Sequence, residues 1–177
     1  MEFKWSERKI ASYIAMVFFK REYFCILDNC QWTGHECDML GVTKDLRLID
    51  IEIKISRADL KADAKKDKWK DFSIKYQNPP IAPTYKEHPR KIWKHYYCMP
   101  ESIWKPELLD CLPSQSSGII LLKHHPERNP KYDVSARLER RAKPNTKADK
   151  ISHESVIELS RLASLRMWNA YDQLNIL

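Results

Sequence analysis

Glycine is almost missing from this 177-residue chain: Gly34, Gly41 and Gly118 make up the whole complement, and no two stand close enough to build a phosphate-cradling loop. That excludes a Walker A motif and a dinucleotide fingerprint, so no nucleotide or other small-molecule cofactor is expected. Long apolar runs are missing too. The longest, residues 13–19, falls far short of the ~20 residues that a membrane helix needs, and no membrane association is expected. Lys4, Arg8 and Lys9 precede that run, but Lys20, Arg21 and Glu22 follow it where a signal peptide has small cleavage-site residues, so it reads as a helix of the mature fold. Cysteine is present but unpatterned. Five residues (25, 30, 37, 98 and 111), odd in number and without a C-x-x-C, suggest neither a disulfide framework nor a zinc knuckle and fit a reducing, intracellular (cytoplasmic) setting.

What the chain does have is positive charge. Lys plus Arg outnumber Asp plus Glu by 31 to 24, a net +7, which favours a polyanionic partner, nucleic acid first. The length suits one domain spanning residues 1–177, and neither internal repeats nor low-complexity linkers divide it.

Helical spacing of Ile10, Ile14, Val17 and Phe18 predicts a first helix over residues 6–20, capped by Ser6. Residues 23–28 and 36–42 read as strands. Over residues 48–56, Ile49, Ile51, Ile53 and Ile55 alternate with Asp50, Glu52, Lys54 and Ser56, which predicts a strand with one isoleucine face and one polar face. Ser56 then opens a charged helix whose buried stripe is expected at Ala58, Ala62, Trp69 and Phe72, ending in a loop at Asn78-Pro79-Pro80 and Pro83. Strands are expected at 94–99 and 118–123, with a short helical or irregular piece near 104–112 between them and an edge strand at 134–140. A last helix from Ser152 is expected to cover a sheet face with Val156, Leu159, Ala163, Met167, Ala170 and Leu174. The sum is a mixed α/β domain.

The chemistry gathers at the two strands joined by the turn at residues 43–45. Paired strands lie ~4.8 Å apart, so Asp38 and Glu52 can bring two carboxylates onto one hard divalent ion, with Lys54 one pleat away to orient or deprotonate a water. The E-x-K tripeptide alone carries little weight, because Glu2-Phe3-Lys4 and Glu7-Arg8-Lys9 repeat it. Its context carries more, since a strand with continuous isoleucine on one face spends its other face on charge when a cleft or solvent lies there. The plain alternative is a hairpin with one wet face and a surface ion pair.

HECDML followed by LIDIEIK resembles the PD-(D/E)XK nuclease superfamily, with its restriction-endonuclease-like mixed β-sheet flanked by helices. The continuation EIKISRADLKADAKKDKW is similar to MmcB-type DNA repair proteins, and YYCMP, GIILLK and LSRLASLRMW resemble that group's later strands and last helix. The resemblance implies a Mg²⁺-dependent DNA endonuclease, able to use Mn²⁺, with Asp38, Glu52 and Lys54 as the catalytic set. It implies metal ligation by Asp38, Glu52 and the Ile53 carbonyl. Glu7 either matches the acid that such nucleases place on the first helix or is a first-turn acid favoured by the helix dipole. Cys37 stands where the name motif has proline. A non-catalytic nucleic-acid- or protein-binding module on the same scaffold is the rival reading.

Arg57, Lys61 and Lys68 are expected along one flank of the helix that follows the E-x-K strand, where a bound phosphate backbone passes; a second basic cluster runs from Arg137 to Lys150. Asp59 and Asp63, at i and i+4 among lysines, read either as solvated pairing or as acids near the cleft. Cys25, Cys30, His35 and Cys37 can be imagined as a zinc set, but Cys25 and Cys30 flank a strand-turn boundary and need not converge, so they read as buried or semi-exposed thiols. His124-His125 reads as loop, and Trp32, Trp69 and Trp93 remain without a binding role.

Overall fold

In the computed structural model, which describes residues 3–19, 22–71, 84–129 and 133–174, Ser6 opens the first helix, its hydroxyl accepting from the Lys9 amide at 3.3 Å. Helix α1 (Glu7–Tyr13) then passes into one π-helical turn (Ile14–Phe18). Each i→i+5 hydrogen bond adds a residue to the turn and shifts its phase. Ile10 and Ile14 therefore stay buried while Val17, expected on the same face, is exposed and Phe19 takes the inward position.

Three strands form an antiparallel meander: β1 (Tyr23–Cys30), β2 (Cys37–Thr43) and β3 (Leu48–Ile53). Helix α2 (Arg57–Asp63), a 3₁₀ turn (Asp67–Trp69) and a two-stranded sheet of β4 (Lys70–Asp71) and β5 (Thr84–Tyr85) follow. This segment forms the crossover that a parallel pairing requires, because β6 (Ile92–Pro100) lies parallel to β3. Two 3₁₀ turns (Glu101–Ile103 and Pro106–Cys111) lead to β7 (Gly118–His124), parallel to β6, and β8 (Val134–Arg140) closes the edge antiparallel to it. The six-stranded mixed sheet has the order β1-β2-β3-β6-β7-β8 and, with α3 (His153–Gln173), completes an α/β fold. No described helix is long and apolar enough to cross a membrane.

Alternation along β3 divides the core. Ile49, Ile51 and Ile53 join Ile10, Ile14, Phe19, Met39, Tyr96 and Cys98 on the side covered by α1. Ile55 lies beyond the strand and is exposed, so the isoleucine face has three members rather than four. On the other side, α3 contributes Leu159 to a cluster with Leu27, Leu40 and Val42, while Leu60, Trp69, Leu108 and Leu112 cover Tyr97, Met99, Ile119 and Leu121.

Two helix faces differ from the expected ones. In α2 the buried residues are Leu60 and Asp63, and Ala58 and Ala62 are exposed, because the helix is only seven residues long and Leu60 packs against β6 and the 3₁₀ turn. In α3 only Leu159 is fully buried. Met167 and Leu174 stand exposed because apolar packing on the edge strand β1 is confined to the turns carrying Val156, Leu159 and Ala163. Beyond them Arg166 bonds Asp28 and Asn29 of β1, and Ala170 and Gln173 line a cavity. Phe72, Asn78, Pro79, Pro80 and Pro83 lie outside the described residues.

Candidate active site

The second and third strands meet where the expected site lies. β2 runs antiparallel to β3, with Met39 opposite Ile51, so Asp38 near the start of β2 stands beside the end of β3. There the Asp38 side chain takes over a ladder position: the Ile53 amide donates to Asp38 Oδ2 at 2.7 Å. Across from Asp38 on β1, Asn29 adopts a left-handed backbone (φ 44°), a conformation that asparagine tolerates better than most residues. Glu7, Asp38 and Ile53 line one cavity of 520 Å³, together with Arg8 and Ala11 from α1 and Arg166 from α3. Half-buried Asp38 has its carboxyl pushed up to about 6, first by burial and then by the negative charge of Glu52, against the Ile53 hydrogen bond and the ammoniums of Lys54 and Lys66.

Glu52 lies on the polar side of β3, and that side is enclosed. Asp50 and Glu52 are wholly buried and Lys54 is 2 % exposed, where the pattern pointed to a cleft or to water. The reason is the cover supplied by α2 and the turn after it, which brings in lysines of its own. Glu52 Oε2 accepts from Lys54 Nζ at 3.1 Å and from Lys66 Nζ at 2.9 Å, and Oε1 accepts from Lys68 Nζ. Asp63 completes the ring, 3.1 Å from both the Lys54 and the Lys66 ammonium, and it also accepts from Tyr97 Oη at 2.6 Å and Trp69 Nε1 at 2.9 Å. Burial pushes the Asp63 carboxyl up, but Lys68, Lys54, the Tyr97 hydroxyl and Lys66 together hold it well below the usual carboxylate range.

One register step along β3, Asp50 pairs with His95 of β6. Its Oδ2 lies 3.4 Å from His35 Nε2, 3.8 Å from Lys68 Nζ and 3.9 Å from His95 Nε2. His95 is buried, and desolvation with the Lys68 charge lowers its pKa to about 4, which leaves a neutral imidazole at pH 7. Cys37 Sγ sits 3.5 Å from His35 Nε2, and burial pushes its thiol up.

The fold thus brings Asp38, Ile53 and Glu7 to one cavity and Glu52 and Lys54 into contact, with Glu52 acting electrostatically on Asp38. Arg57 and Lys61 are exposed on α2, Arg57 Nε donating to the Ile103 carbonyl at 2.8 Å. Lys68 departs from the expected flank. It belongs to the 3₁₀ turn, its side chain is 2 % exposed, and its ammonium faces Glu52 and Asp50. Trp69 is structural, since its indole donates to Asp63 in the core.

Sequence reasoning gave no role to Asp50, Lys66, His95 and Tyr97 and left Asp63 between two readings. Asp50 shares the Glu52 face by simple alternation and was within reach of the pattern. His95 and Tyr97 approach only through the β3–β6 pairing, a long-range register that local periodicity does not encode.

Asp38, Glu52, Glu7 and the Ile53 carbonyl are all oxygen donors of the kind a hard divalent ion takes, but Glu52 is wholly buried and does not line the cavity that Asp38, Glu7 and Ile53 share. Among the described residues the donor groups that lie close together are His35, Cys37 and Asp50, and Asp50, Glu52 and His95. For Asp38 and Glu52 to share an ion, Glu52 must exchange lysine contacts for it.

No protein-family model matches the sequence, and no curated protein matches it. Among solved structures the chain is similar to the SPO1766 protein of unknown function from Silicibacter pomeroyi, with a TM-score of 0.55 and 16 % identity over 98 % of this chain and 94 % of that one, a likeness of fold.

Proposed function

We propose that this protein is a divalent-metal-dependent DNA nuclease of the PD-(D/E)XK, restriction-endonuclease-like kind, acting in DNA repair or processing. The observation that supports the reading is the junction at the ends of β2 and β3, where the Ile53 amide fixes Asp38 at 2.7 Å, burial and then the charge of Glu52 raise the Asp38 carboxyl, and Lys54 touches Glu52 at 3.1 Å. Asp38, Glu52, the Ile53 carbonyl and Glu7 are the residues to hold Mg²⁺ or Mn²⁺, which when bound polarises a phosphate oxygen and acidifies a water. Lys54 orients the attacking water and stabilises charge on the phosphate as the ester P–O bond breaks and the leaving oxygen takes up a proton. Arg57 and Lys61, exposed on the helix just after Lys54, hold the flanking phosphates.

A second reading, a non-catalytic nucleic-acid- or protein-binding module, is favoured by one specific observation: three ammoniums already satisfy Glu52 in a closed setting. Incubating the purified protein with labelled duplex, nicked, branched and single-stranded DNA and Mg²⁺ or Mn²⁺ separates the two. Cleavage that disappears in Asp38→Ala is expected. A wild type that binds DNA and cuts none of these substrates decides for the module.

A further inference from the structure

Three buried side-chain atoms around Glu52 have no hydrogen-bond partner among the described residues: Asp50 Oδ1, Asp63 Oδ1 and His95 Nε2. Asp63 Oδ1 faces the Lys54 and Lys66 ammoniums at 3.1 Å, which leaves the pair on Asp50 and His95. Both residues are at most 1 % exposed. The other His95 nitrogen is engaged, Nδ1 lying 3.0 Å from Ser117 Oγ, which fixes the ring and directs Nε2 toward Asp50. An unpaired buried polar atom costs on the order of 1–3 kcal/mol, and a cation held between Asp50 and His95 satisfies both when the imidazole carries its proton on Nδ1, toward Ser117 Oγ. One ligand atom from each of Asp50, Glu52 and His95 lies within 4.8 Å of the others, all three fully enclosed.

We infer that Asp50, Glu52 and His95 form a second cation site for a borderline divalent transition metal of the Zn²⁺ or Co²⁺ kind, apart from the hard-ion position at Asp38. An imidazole nitrogen beside two carboxylates is a donor set that prefers such ions to Mg²⁺. The site goes beyond the nuclease reading and shares only Glu52 with it. Lys68 is its counter-charge. With Nζ on Glu52 Oε1 and 3.8 Å from Asp50 Oδ2, it supplies the positive charge that an ion brings, and it lines the 450 Å³ cavity flanked by His35, Lys66, Lys86 and Arg90 into which its ammonium can withdraw. Metal entry is therefore an exchange of one cation for another, which keeps the three buried carboxylates compensated throughout.

The test is a Zn²⁺ titration of the full chain by calorimetry in excess Mg²⁺, repeated with Co²⁺ by visible absorption. Zn²⁺ is expected to bind wild type and Asp38→Ala equally, to weaken at least about tenfold in His95→Gln, and to tighten in Lys68→Met, where the competing ammonium is gone. Should a variant fail to fold, wild type decides: Zn²⁺ is expected to shift the His95 Nε2 resonance in ¹⁵N NMR. No Zn²⁺ binding, binding lost in Asp38→Ala but kept in His95→Gln, or a shift confined to His35 overturns the site. Because Asp38→Ala removes the hard-ion position alone, failure of the nuclease reading and failure of this one give different results.

Discussion

Asp63 joins four neighbours in the buried ring, sharing Lys54 and Lys66 with Glu52. It compensates Lys54 and Lys66 and accepts from Tyr97 and Trp69, so neutralising it leaves two ammoniums short of a partner and forces one amide to serve donors that a carboxylate served together. Breaking a buried pair by removing one member costs about 3–5 kcal/mol, and Asp63→Asn is expected to lose stability in that range at pH 7 by urea unfolding. The pH dependence has a definite sign. Asp63 is held below its ordinary 3.8 in the folded state, so its contribution is fully present above 3.8 and is lost as pH falls below that value. The gap between wild type and Asp63→Asn is therefore expected to narrow between pH 4 and pH 2, and a gap that widens there contradicts the assignment. This role was only half legible in the sequence. The i, i+4 spacing with Asp59 marked Asp63 as an acid on the helix, but whether it faced water or the sheet depended on which side of a seven-residue helix Leu60 buried.

At the scale of elements, close approach decides more than propensity. Gly118 starts β7 beside Tyr96 of β6, and a Cβ there comes within 2.4 Å of the Tyr96 ring and 2.7 Å of the Ala142 backbone nitrogen. Neither neighbour is a flexible chain end, so Gly118→Ala is expected to cost about 1–3 kcal/mol, read as a lower denaturation midpoint with an unchanged slope on denaturant. Gly34→Ala is the comparison, since a Cβ there meets no atom within 4 Å and only its φ of 92° opposes the change. The strands themselves were largely readable: those expected at residues 94–99, 118–123 and 134–140 fall within β6, β7 and β8, because apolar or alternating runs record burial directly. Helix faces were read less well. The π-helical turn after α1 and the exposure of Met167 and Leu174 on α3 both come from tertiary fit, and a 3.6-residue period contains neither.

Over the whole molecule, the excess of seven positive charges matters for binding only where it can reach a phosphate. Arg57 and Lys61 are exposed on α2, whereas the Lys68 side chain is 2 % exposed and its ammonium is committed to Glu52 and Asp50 rather than to an outside anion. Counting basic residues in the sequence treats these three alike, and burial separates them. On the nuclease reading, each duplex phosphate neutralised adds roughly 0.9 to the slope of log affinity against log salt. Replacing Arg57 and Lys61 together is therefore expected to make that slope shallower by about 1.8. Lys68→Met is expected to leave the slope unchanged while lowering stability, because it removes the partner of buried carboxylates rather than a phosphate contact. Fluorescence anisotropy of a labelled duplex across a salt series, with denaturant unfolding of the same samples, reads both quantities. Equal slope changes for the α2 pair and for Lys68 would mean that the turn carrying Lys68 opens when DNA binds. No change for either would shift the electrostatic track to another face, with the exposed Arg137 of β8 and the basic residues that follow it as the next to replace.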